Sequence, residues 1–182
     1  MRNRIRDILL VVLGSCALVC AGEQTAVWLD VPFVKQEKNG CGAASIAMVM
    51  QYWQRQQGAA GADAAEIQKT LYSDRAHGIY ASDMENFLRQ HGYRTFAFAG
   101  TMRDLTEHLA KGRPLIAGLQ PSKGAALHYV VIAGVDPEKR EVLMNDPAER
   151  KLLKRDFDTF EKEWRGTSHW TLLAVPSSGS GL

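Results

Sequence analysis

Asn39-Gly40-Cys41-Gly42-Ala43-Ala44-Ser45-Ile46-Ala47-Met48-Val49-Met50 begins as a turn and continues as a run of small and apolar residues. Asn-Gly is a strong turn signal because both residues tolerate left-handed backbone. The apolar run has no proline, takes in Tyr52 and Trp53, and reaches about Gln57 before Gly58 and Gly61 interrupt it. That length without a breaker predicts a helix buried over most of its surface. Cys41 stands at its N-terminus, where free backbone N–H groups and the helix dipole favour an anion and draw a thiol toward the reactive range. A cysteine kept only for packing would more often lie inside the apolar run.

Around this helix the chain falls into order. Upstream, Ala26 to Phe33 reads as an extended leading segment with Pro32 near its end. Downstream, Asp63 with Glu66 gives a capping-box-like start to a second helix carrying Ile67 and Leu71. Ser82 with Glu85 predicts the opening of a third in the same manner, with Met84, Phe87 and Leu88 inside and Gly92 as its stop. Tyr93 to Ala99 reads as a strand and Thr101 to Ala110 as a short helix. Strands are predicted over Pro114 to Leu119, His128 to Val135, Glu141 to Asn145 and Trp170 to Val175, with a short helix bearing Phe157, Phe160 and Trp164 before the last. Helices first and strands afterwards predict an α+β domain with segregated layers, an N-terminal helical part packed on a C-terminal antiparallel sheet.

A length of 182 residues suits one domain. With 23% charged residues, a net charge of +2 and no run of lysine and arginine, nothing points to a nucleic-acid partner. Residues 1–21 stand apart: Arg2, Arg4 and Arg6 precede an apolar run from Ile8 to Val19 and then small residues, the pattern of a secretion signal. The run is short for a membrane span, which needs roughly 20 residues. An uncleaved anchor is the alternative, and Cys16 or Cys20 would be the site of a lipid anchor if processing is of lipoprotein type. The expected organisation is therefore a signal at 1–21, a domain at 22–176 and a flexible glycine–serine tail at 177–182, in a periplasmic or extracellular protein. Losing Arg2, Arg4, Arg6 and Asp7 with the signal leaves the exported part near neutral. It also leaves Cys41 as a lone thiol in an oxidising compartment, which marks it as reactive or as buried and inert.

A reactive thiolate needs a base to take its proton, and histidine suits that work near neutral pH. Of five histidines, His91 falls at a helix end, His108 in mid-helix and His77 in a loop. His169 starts the last strand and competes with His128, which starts the most apolar one. His128 follows Ser122-Lys123-Gly124-Ala125-Ala126, so it can be held rigidly and still reach a cleft. Asp146 ends the following strand, and two strands joined by a short turn pair antiparallel, which brings Asp146 toward His128. The bland alternative makes Asp146 a turn cap before Pro147. Gln36, five residues before Cys41, carries an amide that could donate to a developing oxyanion with the Cys41 N–H. Neither Cys-x-x-Cys nor His-x-x-x-His spacing occurs and no glycine-rich phosphate loop follows a strand, so no metal or cofactor is expected.

Val31-Pro32-Phe33, Gln36 and Asn39-Gly40-Cys41-Gly42-Ala43-Ala44-Ser45, then His128-Tyr129-Val130-Val131-Ile132-Ala133-Gly134, then Asn145-Asp146-Pro147 together resemble the C39-type peptidases from about Val31 to Val175. The resemblance implies a papain-like fold, with Cys41 as nucleophile, His128 as base, Asp146 as its orienting acid and Gln36 in the oxyanion hole. It implies a stand-alone exported cysteine peptidase acting on a peptide or protein substrate through a thioacyl-enzyme. Ala43 replaces the proline common after Cys-Gly, and no transporter accompanies the domain, so the double-glycine specificity of transporter-linked members does not carry over. The alternatives are a papain-like amidase or transferase, and a non-catalytic peptide-binding module. Relatives of the latter kind have typically lost the cysteine that this chain keeps.

Overall fold

The computed structural model describes residues 25–177. The expected signal at 1–21, with Cys16 and Cys20, lies outside the described residues, as does the tail beyond Ser177.

The elements run β1 (Val27–Trp28), α1 (Cys41–Gln57), α2 (Ala64–Leu71), α3 (Ala81–Gln90), β2 (Tyr93–Ala99), α4 (Met102–Ala110), β3 (Leu115–Leu119), β4 (His128–Asp136), β5 (Glu141–Asn145), β6 (Leu153–Asp156), α5 (Phe157–Arg165) and β7 (Trp170–Pro176). Helix α1 is buried continuously from Gly42 to Met50 and again at Tyr52 and Trp53. It ends where Gly58 takes a left-handed φ of 67° and donates its N–H to Gln54 O, the conformation that glycine adopts most easily. Asp63 caps α2 by accepting from the N–H groups of Ala65 and Glu66. The reciprocal capping box occurs at α4 instead, between Thr101 and Asp104.

Helix α3 departs from the sequence reading. It starts at Ala81, ahead of Ser82, and has no side-chain cap. The Tyr80 carbonyl accepts from Asp83 and Met84 N–H, so buried Ile79 fixes the approach and the turn forms without the serine.

The strands form one sheet in the order β2-β7-β3-β4-β5-β6, every pairing antiparallel. Strand β6 was not anticipated, because Leu153 is its only apolar residue and four residues give too little alternation to read. Helices cover both faces of the sheet. Ile116, Tyr129, Val131, Ala133, Leu172 and Ala174 pack with α1, α2 and α3. Leu115, Ala117, Leu119, Val130 and Ile132 pack with Leu105 and Leu109 of α4 and with Phe160 and Trp164 of α5. The cause is the continuous apolar character of β3 and β4, which leaves neither face fit for water. Among the described residues no helix is long and apolar enough to cross a membrane.

Strand β1 occupies the edge of β4 just past the end of β3, with Val27 opposite Val135 and Trp28 opposite Gly134. The approach is close: a Cβ on Gly134 would stand 2.8 Å from both Val27 O and Trp28 Cβ. Gly134→Ala is expected to lower stability by about 1–3 kcal/mol, as overpacked sites do. Urea unfolding checks this, and an unchanged midpoint would show that β1 can shift without cost.

Candidate active site

Three element ends come together at His128: Cys41 and His128 line one cleft, and Asp146 lies on the other side of the ring. Cys41 is the first residue of α1, preceded by Asn39 at a φ of 58° and by Gly40 as an N-cap with no side-chain bond. The turn needs left-handed backbone at Asn39, and leaving the helix end without a side-chain cap leaves its N–H groups free for the sulfur. His128 is the first residue of β4, paired opposite Leu119. Asp146 follows β5, whose last residue Asn145 lies opposite Val131 of β4. The antiparallel hairpin thus carries Asp146 back to His128, and His128 Nε2 donates to Asp146 Oδ1 at 2.8 Å. With Nε2 committed, Nδ1 is the ring nitrogen left to exchange a proton with Cys41.

The three groups set one another's charge. At Cys41 burial raises the pKa, but the His128 hydrogen bond, the Tyr129 N–H, the imidazolium charge and the Gly42 N–H outweigh it, holding the thiol below its ordinary value. At His128 burial lowers the pKa, and the hydrogen bonds and charges of Asp146 and Cys41 push it up to about 9. Burial raises the Asp146 carboxyl as well, yet hydrogen bonding to His128, the imidazolium charge and the N–H groups of Ala148 and Glu149 leave it lowered. Near neutral pH His128 is therefore an imidazolium and Asp146 a carboxylate, and both bias the Cys41 thiol toward its thiolate.

Gln36 borders the same cleft. Its backbone N–H donates to Pro147 O at 3.0 Å, and its buried side-chain Oε1 has no hydrogen-bond partner among the described residues. The unpartnered Oε1 accepts only; the donor that could meet a ligand oxygen is the Nε2 of the same amide.

Asn145 has a part that its place in the sequence did not reveal. It is fully buried; its Nδ2 donates to the carbonyls of Val31 and Pro32 at 3.1 and 3.2 Å, and its Oδ1 accepts from Leu152 N–H at 2.9 Å. With the Gln36–Pro147 bond, it ties the segment leading to Cys41 onto the strand that carries Asp146. An asparagine with two of its three backbone partners more than a hundred residues away leaves no local pattern to read.

Of the other four histidines, three lie away from the cleft. His169, the competitor, bonds through Nε2 to Glu161 Oε1 of α5 at 2.8 Å and packs edge-on against Trp164. His91 stacks on Phe87 and bonds Phe87 O through Nδ1, and His108 lies beside Phe98. His77 lines the cleft with its backbone at a φ of 48°.

The cleft encloses about 660 Å³. Ala76 to Ala81, linking α2 and α3, forms one wall; Ala126 and Leu127, ahead of β4, form the other. Tyr80 and Leu127 are exposed apolar side chains on opposite sides. Among the described residues no group of three or more His, Cys, Asp and Glu is placed to hold a metal ion.

A family model described as the Peptidase_C39 like family matches residues 28–171. No curated protein matches the chain. Among solved structures, a protein from Bacillus anthracis described as a C39-like peptidase superposes with a TM-score of 0.69 at 16% identity, over 85% of this chain and 99% of that one. The peptidase domain of Streptococcus ComA, a bi-functional ABC transporter involved in quorum sensing, gives 0.65 at 18% identity, over 80% of this chain and 98% of that domain. A double glycine motif protease from an AMS/PCAT transporter, solved with its leader peptide, gives 0.61 at 23% identity, over 82% and 94%. At these identities the likeness is one of fold, and that fold is the papain-like one.

Two outcomes follow from the geometry. Alkylation of Cys41 by iodoacetamide is expected to stay fast well below pH 8 and, in His128→Ala, to fall back toward the profile of a free thiol with a pKa near ~8.5. Asn145→Ala, which strands two carbonyls and an N–H, is expected to cost about 2–4 kcal/mol in denaturant unfolding.

Proposed function

The chain belongs to the Peptidase C39-like family, and on that footing we propose that it is an exported cysteine peptidase using Cys41, His128 and Asp146 as a triad and Gln36 as an oxyanion donor. The observation that carries the reading is the bond of His128 to Asp146 at 2.8 Å beside a cleft that Cys41 and His128 line together.

The reaction follows from the charges. The Cys41 thiolate attacks the carbonyl carbon of a peptide bond, and the electron pair of the C=O moves onto oxygen. That oxyanion receives hydrogen bonds from the Cys41 N–H and from the Gln36 amide, an arrangement whose donors are each worth roughly 10²–10³ in rate. As the tetrahedral species collapses, the C–N bond breaks and His128 Nδ1 gives its proton to the departing amine. A thioacyl-enzyme and neutral imidazole remain. Water then attacks the thioester while His128 takes its proton, and the carboxylate product leaves as the thiolate and imidazolium return. Asp146 keeps the ring oriented and favours the imidazolium throughout, without itself changing protonation.

Export is supported by the basic and apolar pattern of residues 1–21 and by Cys41 being the only cysteine beyond them. Attachment to a membrane would come from that segment, uncleaved or lipidated at Cys16 or Cys20. An amidase or transferase would share every step up to the thioacyl-enzyme and differ only in the acceptor, so adding amine nucleophiles to a turning-over sample and looking for coupled products separates the readings. A binding module would bind peptide without consuming it.

Cys41→Ala is expected to abolish hydrolysis of a peptide library while leaving the circular dichroism spectrum unchanged; turnover at the wild-type rate would end the proposal. Gln36→Ala is expected to lower kcat by about 10²–10³. Its rate of Cys41 alkylation should be unaffected, because no oxyanion forms in that reaction.

A further inference from the structure

Beyond the Cys41 cleft lies a second cavity of about 570 Å³, lined by Lys38, Asn39, Gln68, Lys69, Tyr72 and His77. Asn39 and His77 border both cavities, so the two are continuous along one surface. Both residues hold left-handed backbone, and Asn39 Nδ2 donates to the Tyr72 hydroxyl at 3.5 Å, which fixes the shared rim. No aspartate or glutamate lines either cavity. Among the described residues neither Lys38 nor Lys69 takes part in an ion pair. The side-chain Oε1 of Gln68, in the same cavity, is buried without a partner.

We infer that this cavity is a cationic subsite of the cleft, in which Lys38 and Lys69 select peptides carrying an acidic residue a few positions from the bond presented to Cys41. The inference rests on the peptidase reading only for the statement that a bond is cut; recognition of the acidic peptide stands by itself. The Cys41 cleft is lined largely by apolar and small side chains, with Ile79, Tyr80 and Leu127 beside three alanines, and it contains no lysine or arginine to pair with an anionic side chain. An extended peptide leaving that cleft past Asn39 and His77 meets two ammonium groups with no competing carboxylate on the lining. The Tyr72 hydroxyl and the Gln68 Nε2 can donate to a carboxylate once it is there, while the unpartnered Gln68 Oε1, an acceptor, is left for a peptide N–H.

The test uses the full chain carrying Cys41→Ala, so that binding is read without turnover. Three fluorescent octapeptide libraries of matched apolar composition, each with Asp, Asn or Lys scanned through every position, are compared by anisotropy at low salt. The Asp library is expected to bind about five- to tenfold more tightly than the Asn library, the yield of two exposed ion pairs, and the Lys library more weakly than either. That advantage is expected to vanish when Lys38→Gln and Lys69→Gln are added, and to fade in about 1 M salt, where screening acts over roughly 3 Å. Equal binding of Asp and Asn libraries, no measurable binding of the Asp library, or a preference that survives the lysine changes overturns the inference. Parallel turnover assays on the unaltered chain separate the two claims: Asp preference without hydrolysis defeats the peptidase reading and leaves the subsite standing.

Discussion

From Gly42 to Met50 helix α1 has no side that can face water. Its residues there are buried all round, and Tyr52 and Trp53 continue the burial, so the sheet must lie against one flank while α2 and α3 close the others. Each large apolar side chain removed from water in this way contributes about 1.5–3 kcal/mol, which makes the seating of α1 the dominant constraint on the molecule. One consequence is chemical. A helix wrapped along its length can be open only at its ends, and the open N-terminal end carries Cys41.

The sheet answers that constraint with a hairpin. Strand β4 runs under α1 and is buried for eight of its nine residues, so it reaches the cleft only at its start, through His128 and Tyr129. The antiparallel partner β5 returns to the same level and delivers Asp146. Asn145 and Pro147, on either side of it, hold the backbone of Val31, Pro32 and Gln36. Thiol, imidazole and carboxylate therefore come from three distant stretches fixed to one frame, and their charges stabilise one another against the cost of burial. A partly buried anion and cation are tolerated because each is hydrogen-bonded and faces the other.

Much of this could be read from the residues. The long unbroken apolar run after Asn39-Gly40 located α1 and put Cys41 at its start, and the short turn between two apolar strands gave the approach of Asp146 to His128. What escaped shares a cause: it depends on contacts distant in sequence. Ser82 followed by Glu85 looked like a helix start, but buried Ile79 sets the chain's direction and the helix begins before the serine. Strand β6 exists because β5 offers it an edge, and its own composition does not announce it. The second helical layer, α4 and α5, follows from β3 and β4 being apolar on both faces, a property that an alternation pattern would have hidden. His169 competed with His128 as a candidate base, and its Nε2 is bonded to Glu161 of α5.

The central claim is that Cys41 and His128 share a proton as a thiolate and an imidazolium in the resting protein. It is tested most directly by nitrogen-15 NMR of the His128 ring, followed against pH in the unaltered chain and in Cys41→Ala. The account requires an imidazolium at pH 7 that gives up its proton only near about 9, and an earlier loss once the thiolate is removed. A neutral His128 ring at pH 7, titrating near the ordinary ~6.5 in both proteins, would contradict it.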